Sequence, residues 1–225
     1  MRTHRPAHWK QSASPLKNKV SMPVRLTFVC HGATAATRAA AFPLDEPLED
    51  RAMAKARALG RLLPRADWAW TSPALRARQT SEALALDASI HPALRDCDYG
   101  RWSGCRLADI ERAEPDSVAT WLSDPNASPH GGEALADLFR RVAAWMDETR
   151  RNDGRTIAVT HAAVIRAAIL HVLDGPARSF WRIDVEPLSA IDLRWDGARW
   201  TLRYLSGSSR AGRDCDPIGG SRQPR

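Results

Sequence analysis

Two short runs of apolar and β-branched residues, 25–29 and 156–160, both lead into a histidine. Such a run, rich in Val, Ile, Leu, Thr and Phe, has the composition of a central strand. His31 follows the first run after Cys30, and His161 follows the second directly. A histidine there stands at the carboxyl end of a strand, where open α/β sheets place their ligands. Gly32, next in line, permits a tight turn or a close backbone approach to a ligand. A single histidine of this kind is more often a satisfied structural residue. Two of them in equivalent positions predict a shared site.

Between and around these runs, strand and helix alternate, which predicts a three-layer α/β/α sandwich with a mostly parallel sheet. Residues 33–41 are small and helix-permissive, and Pro43 and Pro47 bracket a loop. A helix is predicted over 49–63, with Met53, Ala56, Leu59 and Leu63 as its packed stripe and Pro64 as its stop. A strand at 68–70 leads to Ser72 as helix N-cap and Pro73 at the first helical position, the helix running to about residue 86. Arg76 then lies in the first turn beside free amide groups and completes an anion site; Arg78 belongs to a solvated face. A third strand is predicted at 90–94. The loop 95–104 holds two acids, two glycines and two aromatic residues, the make-up of a structured loop that carries chemistry or caps backbone amides. Residues 105–124 are helical with a break at Pro115, and 124–132 form a loop. An amphipathic helix follows from 133 to about 151, carrying Leu135, Leu138, Val142, Trp145 and Met146. After the strand at 156–160 comes a helix over 162–173, then an antiparallel hairpin of 189–194 and 199–205 joined by Asp196-Gly197.

At 225 residues the chain reads as one domain over 23–206, flanked by a disordered basic extension (1–22) and a disordered tail (207–225). Its net charge of +7 is concentrated in those ends, which argues against nucleic acid as a partner. Cys30, Cys97, Cys105 and Cys215 form no C-x-x-C pair, consistent with a reducing, cytoplasmic setting. The N-terminal residues lack the apolar core of a signal peptide. The most apolar stretch, 156–173, is interrupted by His161, Arg166 and His171 and is too polar to span a membrane. Oligomeric state is not legible.

Five segments in order resemble the histidine phosphatase superfamily, the phosphoglycerate-mutase-like proteins. Phe28-Val-Cys-His-Gly-Ala-Thr34 resembles its strand and Arg-His-Gly triplet. Thr71-Ser-Pro-Ala-Leu-Arg-Ala-Arg-Gln-Thr80 resembles its serine–arginine helix start. Leu94-Arg-Asp-Cys-Asp-Tyr-Gly-Arg-Trp-Ser-Gly104 resembles its acid loop. Gly131-Gly-Glu133-Ala-Leu and Val159-Thr-His-Ala-Ala-Val-Ile-Arg166 resemble its Gly-Gly-Glu helix start and second histidine. The resemblance implies hydrolysis of a small phosphomonoester without metal or cofactor. It makes His31 the nucleophile that forms a phosphohistidine, Asp96 the proton donor, and His161 and Arg76 the groups on the phosphate oxygens.

The chain departs from this pattern at two positions. The arginine before the nucleophile is Cys30, and an asparagine often found six positions after it is Thr37. One bidentate arginine is worth about 1.5–3 kcal/mol in binding. Arg38 is a candidate replacement, and Gly32 and Thr37 complete the expected phosphate pocket. Cys30 itself is excluded as a cysteine-phosphatase nucleophile, because the Cys-x5-Arg signature would need arginine where Ala36 stands. Two alternatives to hydrolysis follow: an impaired relative that binds a phosphate ligand or protein partner, and a mutase.

Overall fold

The computed structural model describes residues 24–203. The two tails anticipated at 1–22 and 207–225, Cys215 and the end of the predicted hairpin therefore lie outside the described residues. Six strands form one sheet: β1 (Arg25–Cys30), β2 (Trp68–Thr71), β3 (Ser89–Ile90), β4 (Arg155–Thr160), β5 (Ala190–Trp195) and β6 (Trp200–Arg203). Their order is β3-β2-β4-β1-β5-β6. The first four run parallel, and the β5–β6 hairpin adds antiparallel to β1. The two histidine-terminated runs are thus neighbours at the centre of the sheet. Their register pairs Cys30 with Thr160.

Helices cover both faces. α1 (Ala35–Arg38), α2 (Asp50–Gly60), α3 (Leu75–Ala83), α4 (Leu107–Ala113), α5 (Pro115–Ser123), α6 (Leu135–Thr149) and α7 (Ala162–Val172) follow in chain order. Side chains alternate across β1: Leu26, Phe28 and Cys30 pack with residues of α6 and α7, while Val29 packs with Ala77 and Leu84 on the α3 side. Leu26, Phe28 and Val29 are fully buried, each contributing about 1.5–3 kcal/mol by leaving water. The predicted stripe of α6 is buried throughout. α2 is shorter than its periodicity suggests. Its last residue, Gly60, approaches the α3 terminus so closely that a Cβ would lie 2.6 Å from the Leu84 carbonyl oxygen. A smaller aromatic cluster of Phe42, Trp102 and Trp121, with α4 and α5, stands beside the carboxyl ends of the strands.

Two local expectations are corrected. Ser72 is not the N-cap of α3: the helix starts at Leu75 with Ala74 as cap. The Ser72 hydroxyl accepts the Ala74 amide at 3.3 Å, before the helix begins, and meets His161 Nε2 at 2.7 Å; Asp45 Oδ1 accepts the Leu75 amide at 2.6 Å. The strand expected at 90–94 is only Ser89–Ile90, because Pro92 has no N–H for the ladder and opens a 3-10 turn, Pro92–Leu94. No helix among the described residues is long and apolar enough to cross a membrane.

Candidate active site

The parallel register of β1 and β4 brings His31 and His161 side by side, with ring centroids 5.1 Å apart. Both are buried, His161 completely. The His31 amide donates to Thr160 O at 2.8 Å, which stitches the two strand ends together. Nδ1 of His31 donates to Gly32 O at 2.7 Å. The Gly32 amide donates to Thr80 Oγ1 at 3.0 Å, so it is not directed at a ligand. What Gly32 supplies is its carbonyl and a lack of bulk: a Cβ would lie 3.1 Å from that of Ala52.

Arg76, in the first turn of α3, is 3 % exposed. Its guanidinium touches three elements at once. Nε donates to His31 Nε2 at 3.3 Å, Nη1 to Leu44 O at 2.8 Å and Nη2 to Asp96 Oδ2 at 2.8 Å. The same Asp96 oxygen lies 3.3 Å from His161 Nδ1. These four side chains come from four places in the sequence and meet at one end of the sheet. Arg78 is exposed.

The loop that carries Asp96 is clamped from behind. Arg141 of α6 makes a two-pronged pair with Glu133, with Nε–Oε1 at 2.9 Å and Nη2–Oε2 at 2.7 Å. It also donates to the carbonyls of Ala93 and Arg95, at 2.7 and 3.0 Å. The Glu133 amide donates to Asp98 O at 2.8 Å. Gly132 allows this approach, since a Cβ there would stand 2.1 Å from Asp98 O.

Burial drives the imidazoles toward neutrality. It lowers His31 below its ordinary value, with the Arg76 charge acting the same way. It pushes His161 down to about 3 against the opposing pull of Asp96. Burial would raise the Asp96 carboxyl, but the neighbouring His161 and Arg76 more than offset it and hold it below the usual range. The free site therefore contains two neutral imidazoles and an ionised carboxylate.

Thr37 and Arg38 line a cavity with Cys30 and His31, but their polar groups are engaged with other protein groups. Thr37 Oγ1 donates to Thr34 O at 2.8 Å and accepts the Thr34 amide at 2.8 Å, closing a capping box on α1. Arg38 is exposed and paired with Glu49, Nε to Oε1 at 2.9 Å. Sequence reasoning quoted Arg166 within a motif but gave it no role. The structure places it on the wall of a cavity of about 140 Å³ that also contains His31, Asp96 and Tyr99. The available signal was spacing: Ala162 and Arg166 are i, i+4 on α7, one turn past His161, and both line the cavity. A larger cavity of about 650 Å³ lies at the other end of the sheet, by Arg150, His171 and Trp195, and includes neither His31 nor His161.

The sequence pattern of the histidine phosphatase superfamily (branch 1) matches residues 26–207. The chain belongs to the histidine phosphatase superfamily. One relative is the adenosylcobalamin/α-ribazole phosphatase of Salmonella typhimurium. It is 30% identical over 183 residues, 76% of this chain and 91% of that protein. Phosphoserine phosphatase 1 of Hydrogenobacter thermophilus is 27% identical over 61% of this chain and 70% of its own. A bifunctional protein of Mycobacterium tuberculosis is 32% identical over 57% of this chain, but the match spans only 37% of that protein. The fold is shared with a mycobacterial glucosyl-3-phosphoglycerate phosphatase complexed with VO3, with a TM-score of 0.71 and 24% identity over 80% of this chain and 96% of that one. It is also shared with a phosphoserine phosphatase of Entamoeba histolytica, with a TM-score of 0.74 and 16% identity over 80% and 95% of the two chains.

Proposed function

We propose that this histidine phosphatase hydrolyses a small phosphorylated metabolite through a phosphohistidine on His31. The observation that carries the proposal is the contact network in which Arg76 touches both His31 and Asp96 and Asp96 lies against His161, with His31 and Asp96 on the wall of one cavity. The size of that cavity, about 140 Å³, is below the ~300–1,000 Å³ of sites that enclose a whole drug-sized ligand. It suits a phosphoryl group, with the alcohol left at the mouth near Ala41, Pro43 and Tyr99. Relatives named for α-ribazole and phosphoserine support a small metabolite, and free thiols at Cys30, Cys97 and Cys105 suit a reducing cytoplasm.

The steps follow from the protonation states. His31 Nε2 attacks phosphorus, the P–O bond to the alcohol breaks, and the ring becomes an imidazolium whose Nδ1–H points at Gly32 O. The leaving oxygen needs a proton. Asp96 is ionised in the free site, but a phosphate dianion in the same cavity repels its charge and raises its proton affinity. A proton that arrives with the substrate can then rest on Asp96 and pass to the alcohol. Water next attacks the phosphohistidine and gives its proton to Asp96. The N–P bond breaks, leaving phosphate and neutral His31. Arg76 and His161 stabilise the equatorial oxygens in both halves.

The test is turnover of a panel of phosphomonoesters by the purified chain and by His31→Ala. Release of phosphate by the parent, lost in the variant, supports the reading; absence of turnover in a folded parent overturns it. Cys30 favours a second reading, a pocket that binds phosphate without cleaving it. A parent inactive on the panel but made active by Cys30→Arg would establish that alternative. A mutase would instead show isomerisation that depends on a bisphosphate primer.

A further inference from the structure

Three arginines lie near His31: Arg76 touches its ring, while Arg38 and Arg166 each line one of the two cavities that contain it. Arg76 is held by Asp96, Leu44 O and the His31 ring. Arg38 is neutralised by Glu49. Arg166 makes a single hydrogen bond, Nε to Ile183 O at 2.7 Å, and its guanidinium rests over the Phe180 ring at 5.6 Å. Among the described residues no carboxylate pairs with it, and neither terminal nitrogen donates to a protein group. It is a half-buried, pre-positioned cation with two unused donors, on the wall of the cavity that holds His31 and Asp96.

Its position relative to Cys30 is equally specific. Leu26, Phe28 and Cys30 leave β1 on the face covered by α6 and α7. A long side chain at position 30 would leave on that face too, and α7 is the element that carries Arg166. Burial and the Asp96 charge push the Cys30 thiol up to about 12, and the Arg166 and Arg76 charges oppose that rise. Cys30 and His31 also line a cavity of about 480 Å³, so the small thiol leaves room beside the nucleophile.

We infer that Arg166 supplies, from the first turns of α7, a guanidinium that binds the substrate's phosphoryl oxygens on the side left without a cation by Cys30. Nη1 and Nη2 are the donors, and the Ile183 carbonyl and the Phe180 ring hold the fork in place before substrate arrives. This assignment rests on the phosphomonoesterase reading. Anion binding by Arg166 can nevertheless be measured without turnover.

The experiment uses the full chain with Arg166→Met, Arg166→Lys, Cys30→Arg and the Cys30→Arg/Arg166→Met double variant. Orthovanadate affinity, p-nitrophenyl phosphate turnover and the thermal midpoint are measured for each. Arg166→Met is expected to lower kcat/KM by about 10²–10³, the loss of one stabilising donor, and to weaken orthovanadate by about tenfold or more. Arg166→Lys, which keeps the charge, should lose less. Cys30→Arg should restore both quantities in the Arg166→Met background, because it returns a guanidinium to the same side of the pocket. Unchanged vanadate affinity in folded Arg166→Met overturns the inference. So does equal loss in the Lys and Met variants with a matching fall in thermal midpoint and no rescue by Cys30→Arg, since that is the signature of a residue that only props up Ile183 and Phe180. A parent that binds vanadate through Arg166 but turns nothing over overturns the hydrolase reading and sustains the assignment. A parent that binds no vanadate overturns both.

Discussion

The Gly32 carbonyl oxygen lies 2.7 Å from Nδ1 of His31, and that contact decides which ring nitrogen can react. A carbonyl only accepts, so Nδ1 carries the proton. Nε2 is left with its lone pair, directed at Arg76 Nε. Phosphorylation is expected on Nε2. Phosphorus NMR of the enzyme trapped at low temperature with an activated phosphoester should show the Nε2 isomer; an Nδ1 adduct would contradict this geometry.

Asp96 touches both Arg76 and His161 through one oxygen. If it protonates the leaving group, Asp96→Asn should depress turnover of alkyl phosphates by about 10²–10⁴. Aryl phosphates with acidic phenols need no such proton and should be spared most of that loss. Equal losses across the leaving-group series would remove Asp96 from the acid role.

The activity profile should be acid-shifted. His31 is lowered by burial and Arg76, so it stays neutral, and competent, below the ordinary imidazole value of about 6.5. Asp96 is ionised in the free site, so the needed proton enters with the substrate and is lost as pH rises through the phosphomonoester's second pKa, about 6. A measured kcat/KM that climbs to a plateau above about pH 8 would refute this sequence of protonations.

Stability should fall on acidification. His161 is lowered to about 3 by burial, so between there and about 6.5 the unfolded chain holds a proton that the folded chain lacks. The contribution is complete above about 6.5 and is lost at about 1.4 kcal/mol per pH unit below it. Urea midpoints across that range should be less pH-dependent in His161→Asn. An unchanged slope would mean that His161 is accessible to protons in the folded state.

Gly132→Ala should be costly far from any reacting atom. Its Cβ would collide with Asp98 O, a backbone atom that cannot rotate away. Displacing the acid loop should cost about 1–3 kcal/mol of stability and lower kcat more than the fall in stability accounts for. A variant with unaltered kinetics would show that the loop tolerates the shift.

The parts of the molecule legible in sequence are those encoded locally. The β1 and β4 runs, the α6 stripe and the break at Pro115 each follow from residues within one turn or one pleat. Ser72 misled because its hydroxyl, besides accepting the Ala74 amide at 3.3 Å, meets His161, 89 residues away. The role of Glu133 as one half of the clamp on the acid loop depends on Arg141 reaching carbonyls 46 and 48 residues upstream. Asp192 is another such case: a buried acid matched by Thr27 Oγ1 at 3.0 Å, invisible until β5 lies against β1. Thr34 and Thr37 are different. Their capping box is a local pattern, and it explains why the Thr37 hydroxyl is turned into the backbone of α1.

The sheet order also has a consequence for synthesis. β1 is made first among the strands, yet both of its neighbours, β4 and β5, come from beyond residue 154. Until most of the chain has left the ribosome, this apolar segment has two unpaired edges and no companion histidine. Parallel pairing across so long a separation is slow to form. Competence to bind phosphate should therefore appear late and abruptly in a series of stalled nascent chains, and phosphate analogues should rescue folding only for those long enough to contain β4.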